Sequence, residues 1–286
     1  MIIRENIVDV EEYRLEEILN NKEVDCKPEE SIYFDLEHYV YKKPKCIGVF
    51  GACVYNKKNK KINVTQYMIE NKSEVVDILL LAKKYFIKMK REGKKVIVTF
   101  AGNNDFTVIK YLFNKYGIYF DFEKEFKSID IQKEYEKDMK ISIGLKNLEK
   151  IFEVYREGDV ISGSNLAKTF HKVLKDKEYI QRMPKEKIET ILQYNEQDVV
   201  NLYKIFINWK NYIKTEEDTK ENDDFDEIKE LKTEQIINDI KEIDNEKNIE
   251  DVKKEQENNA NDNIIIIEDN GQQEENKEID NSETII

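Results

Sequence analysis

The chain has 286 residues and a formal net charge of −13, from 47 Lys and Arg against 60 Asp and Glu. Three cysteines with no Cys-x-x-Cys pair argue against a disulfide scaffold and a zinc site. No apolar run approaches the ~20 residues that a membrane span requires. The acidity is uneven: residues 215–286 hold 26 acids and 8 bases, whereas residues 1–214 hold 34 acids and 39 bases. Charge is therefore read by region. A mildly basic part, long enough for one full core, is expected as a domain over 31–214, after an N-terminal extension over 1–30 and before an acidic tail over 215–286. The tail has one Phe and no Tyr or Trp, buries too little apolar surface to offset its ordering entropy, and is expected to be disordered. Residues 227–243 do carry helical apolar spacing, and the four isoleucines at 264–267 form a short β-prone run. Such a run could add a strand to a partner's sheet edge, so the tail is where a protein partner is sought. The first residues, MIIRENIVDVEEY, carry acids where a signal peptide's apolar core would stand, and a reducing cytoplasm is the expected compartment.

In chain order, residues 31–36 (SIYFDL), 46–55 (CIGVFGACVY) and 61–69 (KINVTQYMI) read as three strands of an antiparallel meander. Cys46 and Cys53 fall in the second and are expected to pack as small hydrophobes. Residues 73–91 have helical spacing, with Ser73 as a candidate N-cap and Gly93 as the stop. Then come a buried-type strand (KKVIVTFAG), a helix over 104–116, and a fifth strand (FKSIDI). Helices are predicted over about 144–153, 164–176 and 185–213, with Pro184 at the start of the last. Three meandering strands followed by alternating helix and strand predict an α/β domain. Its mixed sheet combines the antiparallel meander with two parallel strands, flanked by helices, as in the ribonuclease H fold. Other mixed α/β folds share this order.

Within this frame four acids stand out. Asp35 and Glu37 are two residues apart on an extended segment and so share a face. Side by side in an apolar strand they repel unless a cation lies between them. Asp105 follows the buried strand through Gly102, Asn103 and Asn104, at the end of the sheet where α/β ligand sites collect; as a first-turn helix acid it is also ordinary. Asp198 sits four residues after Tyr194 on a helical pattern, beside the inward stripe of Leu192, Val199 and Leu202. An acid there is costly unless paired or metal-bound, whereas Tyr194 also reads as a half-buried aromatic with its hydroxyl at the surface. Scattered carboxylates converging on one cleft suit phosphodiester hydrolysis, in which two Mg²⁺ or Mn²⁺ ions about 4 Å apart activate water and stabilise the leaving oxygen. His38 should point to the opposite face from Glu37, and His171 reads as a packing or surface residue. Lys146 could approach a phosphate or could be a solvated helix lysine. P-loop, dinucleotide and Gly-x-Ser-x-Gly patterns are absent from the sequence.

The combination of Asp-Leu-Glu at a strand end, a later Asp after a strand with a Gly-Asn turn, and Tyr-x-x-x-Asp on a late helix resembles the DEDD exonucleases of the DnaQ-like group, in their tyrosine subtype. The stretch ISIGLKNLEKIF, YREGDVISG and ILQYNEQDVVNL is similar to the YprB-like ribonuclease H-fold exonucleases. These share a Leu-Lys-x-Leu-Glu segment, an Arg-x-x-Asp-x-x-x-Gly region and an Asn between the Tyr and the last Asp. The resemblance spans residues 31–209. It implies a 3′–5′ exonuclease acting on DNA or RNA, with a single-stranded 3′ end as substrate. Asp35 would bridge two ions, Glu37 and Asp198 would complete one site, Asp105 would hold the other, and Tyr194 would orient the nucleophile. One departure stands out: the family's Asn-Gly-x-x-Phe-Asp is here Ala101-Gly-Asn-Asn-Asp105-Phe106, with Asp and Phe transposed. A competing expectation is an inert nucleic-acid-binding or scaffold protein on the same fold, although acids without metal would repel a phosphate backbone.

Overall fold

The computed structural model describes residues 1–158 and 161–214. The candidate tail helix and the isoleucine run, as well as Asp159 of the Arg-x-x-Asp stretch, lie outside the described residues. Six strands form one sheet: β1 (Ile2–Asp9), β2 (Ser31–Tyr41), β3 (Lys43–Asn56), β4 (Lys61–Met68), β5 (Val96–Thr99) and β6 (Lys127–Asp130). Their spatial order is β1-β4-β3-β2-β5-β6. The first four are antiparallel neighbours, while β5 pairs parallel with β2, and β6 with β5. The expected α/β mixed sheet is therefore present, with one strand more than the sequence suggested.

That strand is β1, in the segment read as an N-terminal extension. Its apolar Ile3 and Ile7 point outward, 59% and 60% exposed, while Arg4 and Asn6 point inward. Ile2 and Val8 share the inward face with them, and Glu5 and Asp9 the outward one, so both faces mix apolar and polar residues and the strand is hidden. The inward polar groups bond the last long helix: Arg4 Nη1 donates to Glu189 at 2.6 Å, and Asn6 Nδ2 to Glu196 at 3.1 Å.

The helices are α1 (Val75–Arg91), α2 (Asn103–Lys115), α3 (Phe122–Glu125), α4 (Ile131–Met139), α5 (Leu145–Ile151), α6 (Gly163–Lys175), α7 (Lys185–Ile207) and α8 (Trp209–Tyr212). Ser73 does not cap α1. It lies in a 3₁₀ turn, and the Asn71 side chain accepts from its backbone N–H. Gly93 does stop that helix, at φ +85°, a value a side chain rarely tolerates.

Alternation along β2 sends its side chains to two different layers. Phe34 faces Phe50 and Phe86 and meets Phe106 of α2. Tyr33 faces the other way, against Tyr203 and Phe206 of α7. Asp35 and Glu37 share the parity of Tyr33, so they look toward α7. They are not at a strand end: β2 runs on to Tyr41 and turns through Lys42, at φ +59°, into β3. The ladder shifts register between Glu37 and His38. The parallel pairing of β2 with β5 stops at Tyr33 opposite Val98. Asp35 and Glu37 therefore lie where β2 projects past the C-terminal end of β5, the position at which open α/β sheets form clefts.

Candidate metal centre

Three of the four acids meet. Ligand oxygens of Asp35, Glu37 and Asp198 all lie within 4.8 Å of one another. Two come from one strand face and the third from α7, which packs over that face. Glu37 and Asp198 are buried and Asp35 half-buried. Burial pushes the Asp35 carboxyl up to about 6, against the pull of an Asn195 hydrogen bond and the Arg156 charge. Burial also raises Glu37 well above the carboxylate range, and the charges of Asp35 and Asp198 add to it. Asp198 is raised by burial and then by Asp35, with Arg156 opposing. Three oxygen donors that resist ionising together fit a hard divalent cation, which would relieve their repulsion and which prefers carboxylate ligands.

Asp105 stands apart. It occupies the first turn of α2, is buried, and lies outside the three-carboxylate cluster. Helix α2 packs on the opposite face of the sheet, so Asp105 approaches around the open end of β5. His38 Nε2 lies 4.0 Å from its Oδ1, an ion pair only when that ring is protonated. Burial raises Asp105 well above its usual range, followed by Asp35, Glu37 and Asp198, so it still feels the cluster's field. Burial lowers His38. The turn before Asp105 is held by Asp130, which accepts from the backbone N–H of Ala101 and Gly102 at 2.9 and 3.1 Å.

Tyr194 precedes Asp198 by one turn and is half-buried. Burial raises its hydroxyl, then the charges of Asp198 and Glu37, so it keeps its proton at neutral pH. Two cations flank the ring: the Arg156 guanidinium carbon lies 5.1 Å and Lys146 Nζ 5.3 Å from its centroid. Lys146 Nζ also donates to the Ile161 carbonyl at 3.4 Å. His171 packs against Tyr39, its Nδ1 2.7 Å from the hydroxyl.

Two supporting networks escaped the sequence reading. In the first, Asn195 is fully buried and donates through Nδ2 to Asp35 Oδ2 at 3.1 Å. Gln66 Nε2 holds it in turn, donating to Asn195 Oδ1 and to the Leu192 carbonyl, both at 2.8 Å. The second network joins Glu149 of α5, Arg156 in the loop after it, and α7. Arg156 donates through Nε and Nη2 to the two oxygens of Glu149, each at 2.6 Å, and through Nη2 to Asp198 Oδ1 at 2.5 Å. Asn201 Nδ2 donates to Glu149 at 2.9 Å. The Asn after Tyr194 and the Arg of the Arg-x-x-Asp stretch were visible as pattern matches, but not their bonding.

A mixed sheet with parallel strands along one side and a carboxylate cluster beyond the end of β5 defines a nuclease-like α/β domain. The family model described as RNase_H superfamily (RNase_H_2) matches residues 32–210, and the chain belongs to that superfamily. No curated protein matches the chain in a sequence search. Members of the superfamily are commonly nucleases that use divalent metals and act on nucleic acid.

Proposed function

We propose that the protein is a metal-dependent 3′–5′ exonuclease of DNA or RNA, of the DEDD tyrosine type and similar to the YprB-like enzymes. The observation that carries this reading is the convergence of Asp35, Glu37 and Asp198 from two elements, with Tyr194 one turn before Asp198. Bound divalent ions supply the positive charge that makes an attacking water nucleophilic and stabilises the leaving oxygen. Asp35, Glu37 and Asp198 hold that charge in place, and Asp105 lends its field and a carboxylate from the α2 side. Asn195 fixes the plane of Asp35. Tyr194 keeps its proton, so it orients the attacking water through a hydrogen bond and does not act as its base.

Substrate binding has a physical basis beside this cluster. A groove of about 650 Å³ between α6 and α7 is lined by Lys168, Lys172 and Lys187 over a floor that includes Ile161 and Ile191. Its Ile161 edge adjoins Lys146, and through it Tyr194. Three lysines along a channel suit a phosphate backbone, which carries no sequence information by itself.

The test is degradation of oligonucleotides labelled at the 5′ or the 3′ end, with Mg²⁺, Mn²⁺ or chelator. Wild type should shorten the strand from its 3′ end only with metal, and Asp35→Ala should not. Cleavage that survives chelator or Asp35→Ala overturns the proposal, as does the absence of metal-dependent cleavage on every substrate.

A further inference from the structure

The Glu149–Arg156 pair is more deeply built than a surface ion pair and has no part in the reading above. Glu149 is 2% exposed and both its oxygens are taken, by Arg156 and by Asn201. Arg156 is itself only 10% exposed along its side chain. Its Nε and Nη2 are committed, while Nη1 is buried without a hydrogen-bond partner. Asn201 and Asp198 lie three residues apart on α7, so the helix that presents Asp198 to the cluster also anchors the acid that grips the arginine. The guanidinium cannot swing away as a lysine would. It is clamped in a two-pronged contact with Glu149 and meets Asp198 Oδ1 with the same nitrogen.

We infer that Arg156 is a resident counter-cation of the carboxylate cluster. It is a positioning residue that fixes Asp198 and neutralises the cluster in the absence of metal, and it thereby holds down the affinity for divalent ions. The inference rests on the metal-site reading. Two physical consequences follow. The cluster gathers several buried acids, and burying an uncompensated charge is strongly destabilising, so Arg156 is needed for the metal-free fold. A fixed positive charge touching one of the three ligands also opposes any cation that binds them, by Coulomb repulsion that water screens weakly in a buried site. The site then holds metal less tightly, and Oδ1 is the Asp198 oxygen given to the clamp.

The test measures Mn²⁺ binding by electron paramagnetic resonance, together with thermal unfolding, on wild type and Arg156→Gln. Arg156→Gln should lower the metal-free Tm and tighten Mn²⁺ binding by about tenfold or more, so that saturating Mn²⁺ recovers most of the lost Tm. The double variant Glu149→Gln/Arg156→Gln removes both charges and leaves neither buried alone, so it should fold. It too should bind Mn²⁺ more tightly than wild type, because the arginine is nearer Asp198 than Glu149 is. Arg156→Lys keeps the charge but loses the two-pronged hold, so its affinity should fall between those of wild type and Arg156→Gln. Unchanged or weaker Mn²⁺ binding in the folded double variant overturns the inference and leaves the nuclease proposal standing. If wild type binds no Mn²⁺ that Asp35→Asn abolishes, both fall.

Discussion

Gly51 is the point at which one methyl group should disturb the site without touching a carboxylate. It lies on β3, paired in register with Asp35 on β2. A Cβ built there would stand 2.0 Å from Asn195 Oδ1 and 2.7 Å from Cγ and Nδ2. Atoms do not approach so closely, so Asn195 must move or α7 must lift. Asn195 has nowhere to go: it is fully buried, held by Gln66 at 2.8 Å, and it donates to Asp35 at 3.1 Å. Overpacking a full core costs ~1–3 kcal/mol. Breaking a buried hydrogen bond and leaving its partner unsatisfied costs a further ~1–3 kcal/mol. For a domain of this size each kcal/mol moves Tm by roughly 2–4 °C. A loss of ~3 kcal/mol thus means a fall of roughly 6–12 °C in Gly51→Ala. Because Asp35 loses its orienting partner, Mn²⁺ binding should weaken in the folded fraction as well. The comparison is Gly163→Ala, where an added Cβ meets nothing within 4 Å and Tm should hold or rise slightly. Thermal unfolding by circular dichroism, with and without Mn²⁺, reads both effects. If Gly51→Ala melts with Gly163→Ala and binds metal equally well, the Gln66–Asn195–Asp35 network does not have the role assigned to it.

Further outcomes follow from the same geometry. The Asp35 carboxyl is held up at about 6 by burial, so the folded state binds its proton more readily than the unfolded state does. Its ionisation therefore costs stability as pH rises from about 4, the unfolded value, through the folded one, and below both it has no effect. In metal-free buffer the Tm of wild type relative to Asp35→Asn should fall between about pH 4 and pH 6 and then level off; a flat or rising difference contradicts this. Asp105 lies outside the cluster and beside His38, so Asp105→Asn should weaken Mn²⁺ binding by less than about tenfold while Asp35→Asn weakens it far more; calorimetric titration showing equal losses would place Asp105 among the direct ligands. The acidic residues 215–286 are proposed to compete with nucleic acid for the basic part of the chain, so their deletion should tighten oligonucleotide binding at low salt, with the gain fading as salt rises. Binding that does not change on deletion removes that role.

Much of this carboxylate cluster was legible in the sequence, because its acids obey local periodicities. A period of two put Asp35 and Glu37 on one face, and a period of 3.6 put Tyr194 and Asp198 on another. The turn after a buried strand put Asp105 near the open end of the sheet. What local spacing could not supply was the face on which each helix lands. Helix α2 packs opposite α7, and this separates Asp105 from the three acids that meet. The supporting groups were hidden for the same reason. Glu149 looks like any helix acid until the loop after α5 folds Arg156 back onto it and Asn201 arrives from α7, and Gly51 looks like a weak strand residue until Asn195 fills the space above it. Strand β1 was missed because both of its faces mix apolar and polar residues, and the partners of its inward Arg4 and Asn6 on α7 are nearly two hundred residues away. The ten-residue apolar run of β3 and the buried β5 were read correctly because burial on both faces needs only local composition.

The most direct measurement is a crystal of the protein soaked in Mn²⁺ and examined by anomalous scattering at the manganese edge. The account predicts a peak between the carboxylates of Asp35, Glu37 and Asp198, with Arg156 still in contact with Glu149, and the loss of that peak in Asp35→Asn. A manganese peak elsewhere, or none among these three acids at saturating metal, would contradict it.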